Sequence, residues 1–203
     1  MWIEKMMLSF IILLPVALTI SAPGQQKLSK FINQKNDVIS ELLKDDGSYP
    51  NNPKCPLLVY KNAFHLPDDN AALVIEEVFQ ANGWSGSWRN GIFSFHHYHS
   101  NTHEVLGCYS GSVKAQFGGP QGVTMTLERG DVVIIPAGVS HKNLGSSGDF
   151  RVVGAYPSGK NWDMNRGDPD ERQQAIESIE KVSLPAADPV YGKDGPLFEH
   201  WEK

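Results

Sequence analysis

Between Ile92 and Tyr156 the chain alternates short apolar runs with glycine and proline at close, regular intervals. The runs are Ile92 to His99, His103 to Tyr109, Val113 to Phe117, Val123 to Leu127, Asp131 to Ile135 and Phe150 to Tyr156, each rich in Val, Ile, Phe or Tyr. Short β-favouring runs cut by turn residues predict an all-β sandwich or barrel. Ahead of them, Leu57 to Tyr60 reads as a short buried strand. Asp68 and Asp69 can cap a helix reaching about Gln80, with Leu73, Ile75, Val78 and Phe79 as its apolar residues and Asn82-Gly83 as its end. Residues 25 to 50 are polar and mixed, with a helix-like stretch from Asp37 to Leu43. The tail from Asn161 is a proline-interrupted wrap holding one helix, Asp170 to Lys181. The expected organisation is one domain: an N-terminal part of helices and arm (23–90), a barrel core (91–157) and a C-terminal helix and wrap (158–203).

Residues 1–22 stand apart. Met6 to Ile20 is apolar except for Ser9 and Thr19, follows Lys5 and runs into Ser21-Ala22-Pro23-Gly24, the texture of a secretory signal peptide. The protein is therefore expected to be exported, to a periplasm or the medium. Glu4 dilutes the basic flank and Pro23 sits just beyond the natural cleavage point, so the alternative is an N-terminal membrane tether through residues 6–22. A spanning helix needs roughly 20 apolar residues, and this run is shorter.

Composition narrows the function classes. Of 203 residues, 40% are apolar and 20% charged, which suits one packed domain. The net charge of −5 comes with no basic stripe, so a grip on nucleic-acid phosphates is not expected. Two cysteines, Cys55 and Cys108, do not make a disulfide-built scaffold, and Cys108 falls inside a strand pattern, where a buried thiol is expected. Dinucleotide, Walker and nucleophile-elbow fingerprints are all missing.

The chemistry gathers in the histidines. Four of seven lie between residues 96 and 103, and imidazole is the commonest ligand for first-row metals. Strand alternation sends His97 and His99 to one face, and His96 and Tyr98 to the other. Glu104 follows after four residues that let the chain bend at Ser100-Asn101. A second segment opens at Gly130-Asp131, stops at Pro136, turns at Gly138 and presents His141 at the start of another strand. Three neutral imidazoles and one carboxylate would leave positions open on a six-coordinate ion, as reactive sites do. The expected ligands are His97, His99, Glu104 and His141, holding one divalent transition metal: Fe, Mn, Ni, Zn, Co or Cu.

Gly91-x5-His97-x-His99-x4-Glu104-x6-Gly111 and Gly130-x5-Pro136-x-Gly138-x2-His141 resemble the two signatures of the cupin superfamily, in order and about twenty residues apart. The resemblance implies a double-stranded β-helix, a cupin jelly-roll barrel with a few flanking α-helices and the metal near one mouth. Where the second signature often has Asn four residues after its histidine, this chain has Gly145. The stretches His96 to His99, His103 to Gly107, Pro136 to Asn143 and Asp188 to Leu197 are similar to the YjlB-like bacterial cupins, small single-domain proteins without an assigned reaction.

Around the ligands, His103 is an alternative donor of opposite strand parity, suited to the surface or to supporting a ligand. His96 should pack outward, and His65 and His200 are isolated. Arg89, Tyr98, Tyr109, Gln116, Tyr156 and Trp162 are candidates to line a pocket, and Lys142 and Asn143 to reach its mouth. No side chain is assigned a catalytic role. The expected function is a metal-dependent enzyme acting on a small molecule, either a dioxygenase-type oxidoreductase or a Lewis-acid isomerase or lyase. The alternative is a cupin that binds or senses a small molecule or metal without turnover. A homodimer is an open expectation.

Overall fold

The computed structural model describes residues 28–35 and 37–201. The signal or membrane segment expected at residues 1–22 lies outside them. Among the described residues no helix is long and apolar enough to cross a membrane.

The elements follow in the order β1 (Asp37–Glu41), β2 (Leu57–Lys61), α1 (Ala71–Ala81), β3 (Trp84–Asn90), β4 (Glu104–Ser110), β5 (Ser112–Phe117), β6 (Val123–Glu128), β7 (Val132–Ile135), β8 (His141–Ser146), β9 (Arg151–Pro157), α2 (Pro169–Ile179) and α3 (Leu197–His200). Six strands form one sheet in the order β1-β2-β7-β4-β9-β3, and three form a second in the order β6-β5-β8. Every pairing is antiparallel. Two facing antiparallel sheets with a few helices outside them are the jelly-roll barrel that the alternating runs predict.

Side-chain alternation divides the apolar residues into two cores. Leu57 and Val59 of β2, Leu106 and Cys108 of β4, Val133 and Ile135 of β7 and Val152 of β9 meet Val113, Ala115, Phe117 and Leu127 inside the barrel. Their neighbours Leu58, Tyr60, Val105, Val132, Ile134, Val153 and Ala155 face the other way, onto Ala72, Ile75, Val78 and Phe79 of α1 and onto Val190, Leu197 and Trp201 of the tail. Strands covered on both faces need apolar residues at every position, hence the unbroken runs Leu57-Leu58-Val59-Tyr60 and Val132-Val133-Ile134-Ile135. The same alternation aims Glu104, two residues before Leu106, into the barrel. Both cysteines are buried and free, Cys55 in the helix-side core and Cys108 in the barrel core.

The tail is pinned by one buried carboxylate. Asp188 is wholly inaccessible and accepts hydrogen bonds from Tyr60 Oη (2.6 Å) and from the backbone N–H groups of Val190, Tyr191 and Leu197. The Asp188 to Leu197 stretch thus serves the fold. Helix α2 starts as its sequence dictates, with Asp168 accepting from Asp170 N–H and Pro169 at the first position.

Four local expectations are corrected. Asp37 to Leu43 is not helical: Asp37–Glu41 is an edge strand in full register with β2, Asp37 opposite Lys61 and Glu41 opposite Leu57. Its Val38 packs on the helix-side core, and an open sheet edge outweighs weak local propensity. Neither Asp68 nor Asp69 caps α1. The cap position is Asn70 in the left-handed region (φ 63°), with no side-chain bond, and the inward stripe uses Val74 while Leu73 stays exposed. Ile92 to His99 is not a continuous strand, since it makes only isolated bridges at His97 and Tyr98. The strand lies earlier, as β3, whose pairing with β9 shifts register between Ser85 and Trp88. Finally, the six-stranded sheet takes β1, β2 and β3 from before residue 91, so the barrel begins well ahead of the expected boundary.

Candidate metal centre

The site is assembled from three backbone segments. Glu104 opens β4 and His141 opens β8. The segment before β4 is tied to β8 by reciprocal bonds, His97 N–H to His141 C=O (3.3 Å) and His141 N–H to His97 C=O (2.9 Å). One residue on, Tyr98 turns away and pairs reciprocally with Asn165. His97 and His99 thus share a direction as strand alternation expects, although two different partners enforce it rather than one sheet. Gly138 holds φ at 91° while its N–H bonds His99 C=O at 2.8 Å, and a Cβ there would stand 2.5 Å from Asn51 O. Only glycine fits that turn.

His97, His99 and His141 are buried, and one nitrogen from each lies within 4.8 Å of the other two, a grouping able to hold a metal ion. Glu104 is 2% exposed, with Oε2 3.3 Å from His141 Nε2 and 3.5 Å from His99 Nε2. These contacts are too loose for full hydrogen bonds, and Oε2 has no other partner among the described residues. A buried carboxylate oxygen facing imidazole nitrogens suits a cation.

Outer contacts orient the inner groups. His99 Nδ1–H donates to Asp163 C=O, and His97 Nδ1 lies 3.3 Å from Phe95 C=O, which leaves each Nε2 as the free lone pair. The Asp163 carboxylate accepts from Ser100 N–H (2.7 Å), Ser100 Oγ and Asn165 Nδ2 (2.9 Å), fastening the post-β9 segment to the ligand loop. Glu104 Oε1 accepts from Tyr156 Oη at 2.9 Å, and that oxygen accepts from Trp88 Nε1 at 2.9 Å. The Trp88 indole packs against Gly154, where a Cβ would clash with the ring, so β9 carries glycine there to admit it.

Burial, seconded by His141, pushes the His97 pKa down to about 3, so this imidazole is neutral at ordinary pH. Burial also acts downward on His99, but the charge and contact of Glu104 outweigh it and leave the pKa raised. For Glu104, burial acts upward and is overcome by the charge of His99 and by contacts with both imidazoles, which hold the carboxyl well below its usual range. An ionised Glu104 and a neutral His97 are states that metal ligation needs.

A cavity of about 230 Å³ opens above these four groups. Of the residues expected to line it, Arg89, Tyr156 and Trp162 do. Tyr98 instead packs edge-on to Tyr49, Tyr109 joins the helix-side core, and Gln116 bonds Pro120 C=O. Asn143 bonds Gly145 N–H within its own turn, and neither it nor Lys142 lines the cavity. Trp88, Phe93 and Met164 line the cavity and Asp163 braces it, none of them singled out by the sequence. The register shift near Trp88 and the crossing of residues 162–164 have no local signature. His103 is buried, not on the surface: its Nδ1 accepts from Ala137 N–H (3.0 Å) and its ring packs tilted against Trp201, so it supports the Pro136-Gly138 turn that delivers His141. His96 packs beside Tyr49, away from the cluster. His65 and His200 do not line the cavity.

No family model matches the chain. It is 50% identical over 159 residues to YjlB of Bacillus subtilis (strain 168), an uncharacterized protein, covering 78% of this chain and 93% of that one. Solved structures with partial likeness include a cupin-2 domain protein of Shewanella frigidimarina (18% identical, 66% of this chain and 90% of that one, TM-score 0.30). A dTDP-4-dehydrorhamnose 3,5-epimerase of Elizabethkingia anophelis is 12% identical over 62% of this chain and 76% of that one, with TM-score 0.36. Pumpkin pro-11S globulin is 22% identical over 39% of this chain, which spans only 22% of the globulin (TM-score 0.32). Half-identity carried across nearly the whole of YjlB, on a barrel that gathers three buried histidines, makes this chain a member of the YjlB-like family of small single-domain cupins.

Proposed function

We propose that the protein is a mononuclear metalloenzyme in which His97, His99, His141 and Glu104 hold one redox-active divalent transition ion (Fe, Mn, Ni, Co or Cu), and that it oxidises a small molecule in the manner of a dioxygenase. The observation that carries this reading is the orphaned Oε2 of Glu104, buried at the cavity floor beside the imidazole nitrogens. A redox-active ion bound there would supply electron transfer toward dioxygen and Lewis acidity toward a substrate oxygen.

The other lining groups favour oxidation over isomerisation or lysis. Proton abstraction from carbon needs a base free to act near neutral pH. Outside the four proposed ligands, the described ionisable residues lining the cavity are Arg89 and Tyr156. Arg89 forms a paired fork with Glu76, both N–O distances 2.6 Å. Burial and the neighbouring Glu104 raise the Tyr156 pKa, so its phenol stays protonated and keeps donating to Glu104. The chain's own part is to hold four ligands and keep Glu104 ionised.

Elemental analysis of protein purified from its native compartment tests the site, with one redox-active ion per chain expected. Oxygen uptake is then followed across phenolic, sugar and keto-acid panels. Oxygen-independent turnover of a sugar or keto acid would replace oxidation with Lewis-acid isomerisation, and silence with tight ligand retention would make the protein a binder. Export through residues 1–22 is part of the proposal, tested by N-terminal sequencing of the mature protein.

A further inference from the structure

Phe93 and Trp162 are 47% and 44% exposed, both line the cavity, and each stands over a different imidazole of the cluster. Phe93 meets His97 edge-on, with centroids 5.1 Å apart and planes at 79°, and Trp162 lies over His99 at 5.0 Å and 46°. Each ring has an aromatic neighbour of its own. Phe93 is stacked on Phe95 (4.9 Å, 17°), whose ring is covered in turn by the Arg166 guanidinium at 4.1 Å, and Trp162 leans toward Tyr156 (6.4 Å, 32°). Two preset aromatic surfaces beside a metal-binding floor are what a flat ligand needs, because stacked and edge-on aromatic contacts add to simple burial.

Size and charge narrow the ligand further. An apolar cavity of roughly 150 Å³ accepts benzene, so about 230 Å³ suits one substituted ring rather than a fused system. Arg89 at the wall is already neutralised by Glu76, which leaves it unavailable for a carboxylate or phosphate tail. Three neutral imidazoles and one carboxylate would leave a divalent ion with one net positive charge, matched by a single ionised oxygen on the ligand.

Resting on the metal reading above, we infer that the site takes a single-ring aromatic hydroxy compound of the phenol or catechol class, held by Phe93 and Trp162 with its hydroxyl toward His97, His99, His141 and Glu104. Phe93 and Trp162 are then the specificity-determining residues.

The experiment titrates the metal-loaded full chain with 4-nitrocatechol, read by the probe's absorbance. Cyclohexane-1,2-diol (the oxygens without the aromatic face) and phenylacetate (the face with a charged tail) compete in parallel. Catechols should bind at least tenfold tighter than either comparator. Phe93→Ala and Trp162→Ala should each weaken 4-nitrocatechol about tenfold while metal stoichiometry and Tm stay at the parent's values, and Trp162→Phe should retain most of the affinity. With metal present, equal binding of catechol and cyclohexanediol, or alanine variants within twofold of the parent, would overturn the aromatic clamp and leave the metal site standing. A parent chain that retains no metal at all would instead sink the underlying reading.

Discussion

Removing one hydroxyl tests how the carboxylate is held. In Tyr156→Phe, Glu104 Oε1 loses its donor at 2.9 Å in a place where the carboxylate is 2% exposed. A hydrogen bond to a buried charged group contributes about 1.5–3 kcal/mol. The Trp88 indole N–H also loses its acceptor, but Trp88 is only half-buried and water in the cavity can replace it. The metal-free protein should therefore unfold at lower urea, by about 1.5–3 kcal/mol. For a domain of this size each kcal/mol moves Tm by roughly 2–4 °C, so a fall of about 3–12 °C is expected. The stabilities of parent, Tyr156→Phe, Glu104→Leu and the double variant, all in chelator, close a thermodynamic cycle. If the hydroxyl acts by holding the carboxylate, the coupling should exceed about 1 kcal/mol, because groups in one hydrogen-bonded network do not contribute additively. A coupling under about 0.5 kcal/mol would refute the relay from Trp88 through Tyr156 to Glu104.

Other outcomes follow from the same geometry. His97→Ala and His141→Ala should each abolish stoichiometric metal by elemental analysis, whereas His103→Ala should keep one ion per chain while losing about 1–3 kcal/mol with the buried bond to Ala137 N–H. Burial pushes the His103 pKa down to about 4. Below its ordinary value near 6.5 the unfolded chain takes up a proton that the folded chain refuses, so this contribution is complete above about pH 6.5 and is lost as pH falls toward 4. The loss amounts to about 3 kcal/mol, and the difference between parent and His103→Gln urea curves at pH 7 and pH 4.5 should show it. Gly154→Ala drives a methyl into the Trp88 indole and should cost about 1–3 kcal/mol by overpacking, with an altered Trp88 fluorescence spectrum. Burial raises the thiol pKa values of Cys55 to about 11 and Cys108 to about 12, so neither should react with a thiol reagent at pH 8 until the protein is unfolded.

Much of the centre was legible because its logic is local. The proposed donors His97, His99, Glu104 and His141 fall at spacings set by two-residue alternation and by one glycine turn, and the structure brings these four side chains together. The barrel was legible for a similar reason: runs such as Val132 to Ile135 must be apolar at every position when both faces of a strand are covered. Where local and tertiary demands diverged, the sequence misled. Asp37–Glu41 reads as helix until the open edge of β2 offers it a ladder, and Ile92 to His99 reads as strand until His97 and Tyr98 are drawn to different partners. Beyond Arg89, Tyr156 and Trp162, the cavity walls were decided by tertiary structure. Trp88 reaches Tyr156 from 68 residues away and Ser100 is fastened to Asp163 across 63, contacts that arise from strand pairing and chain crossing. Periodicity along a chain reports which face a side chain takes, but it holds no information about what stands opposite that face.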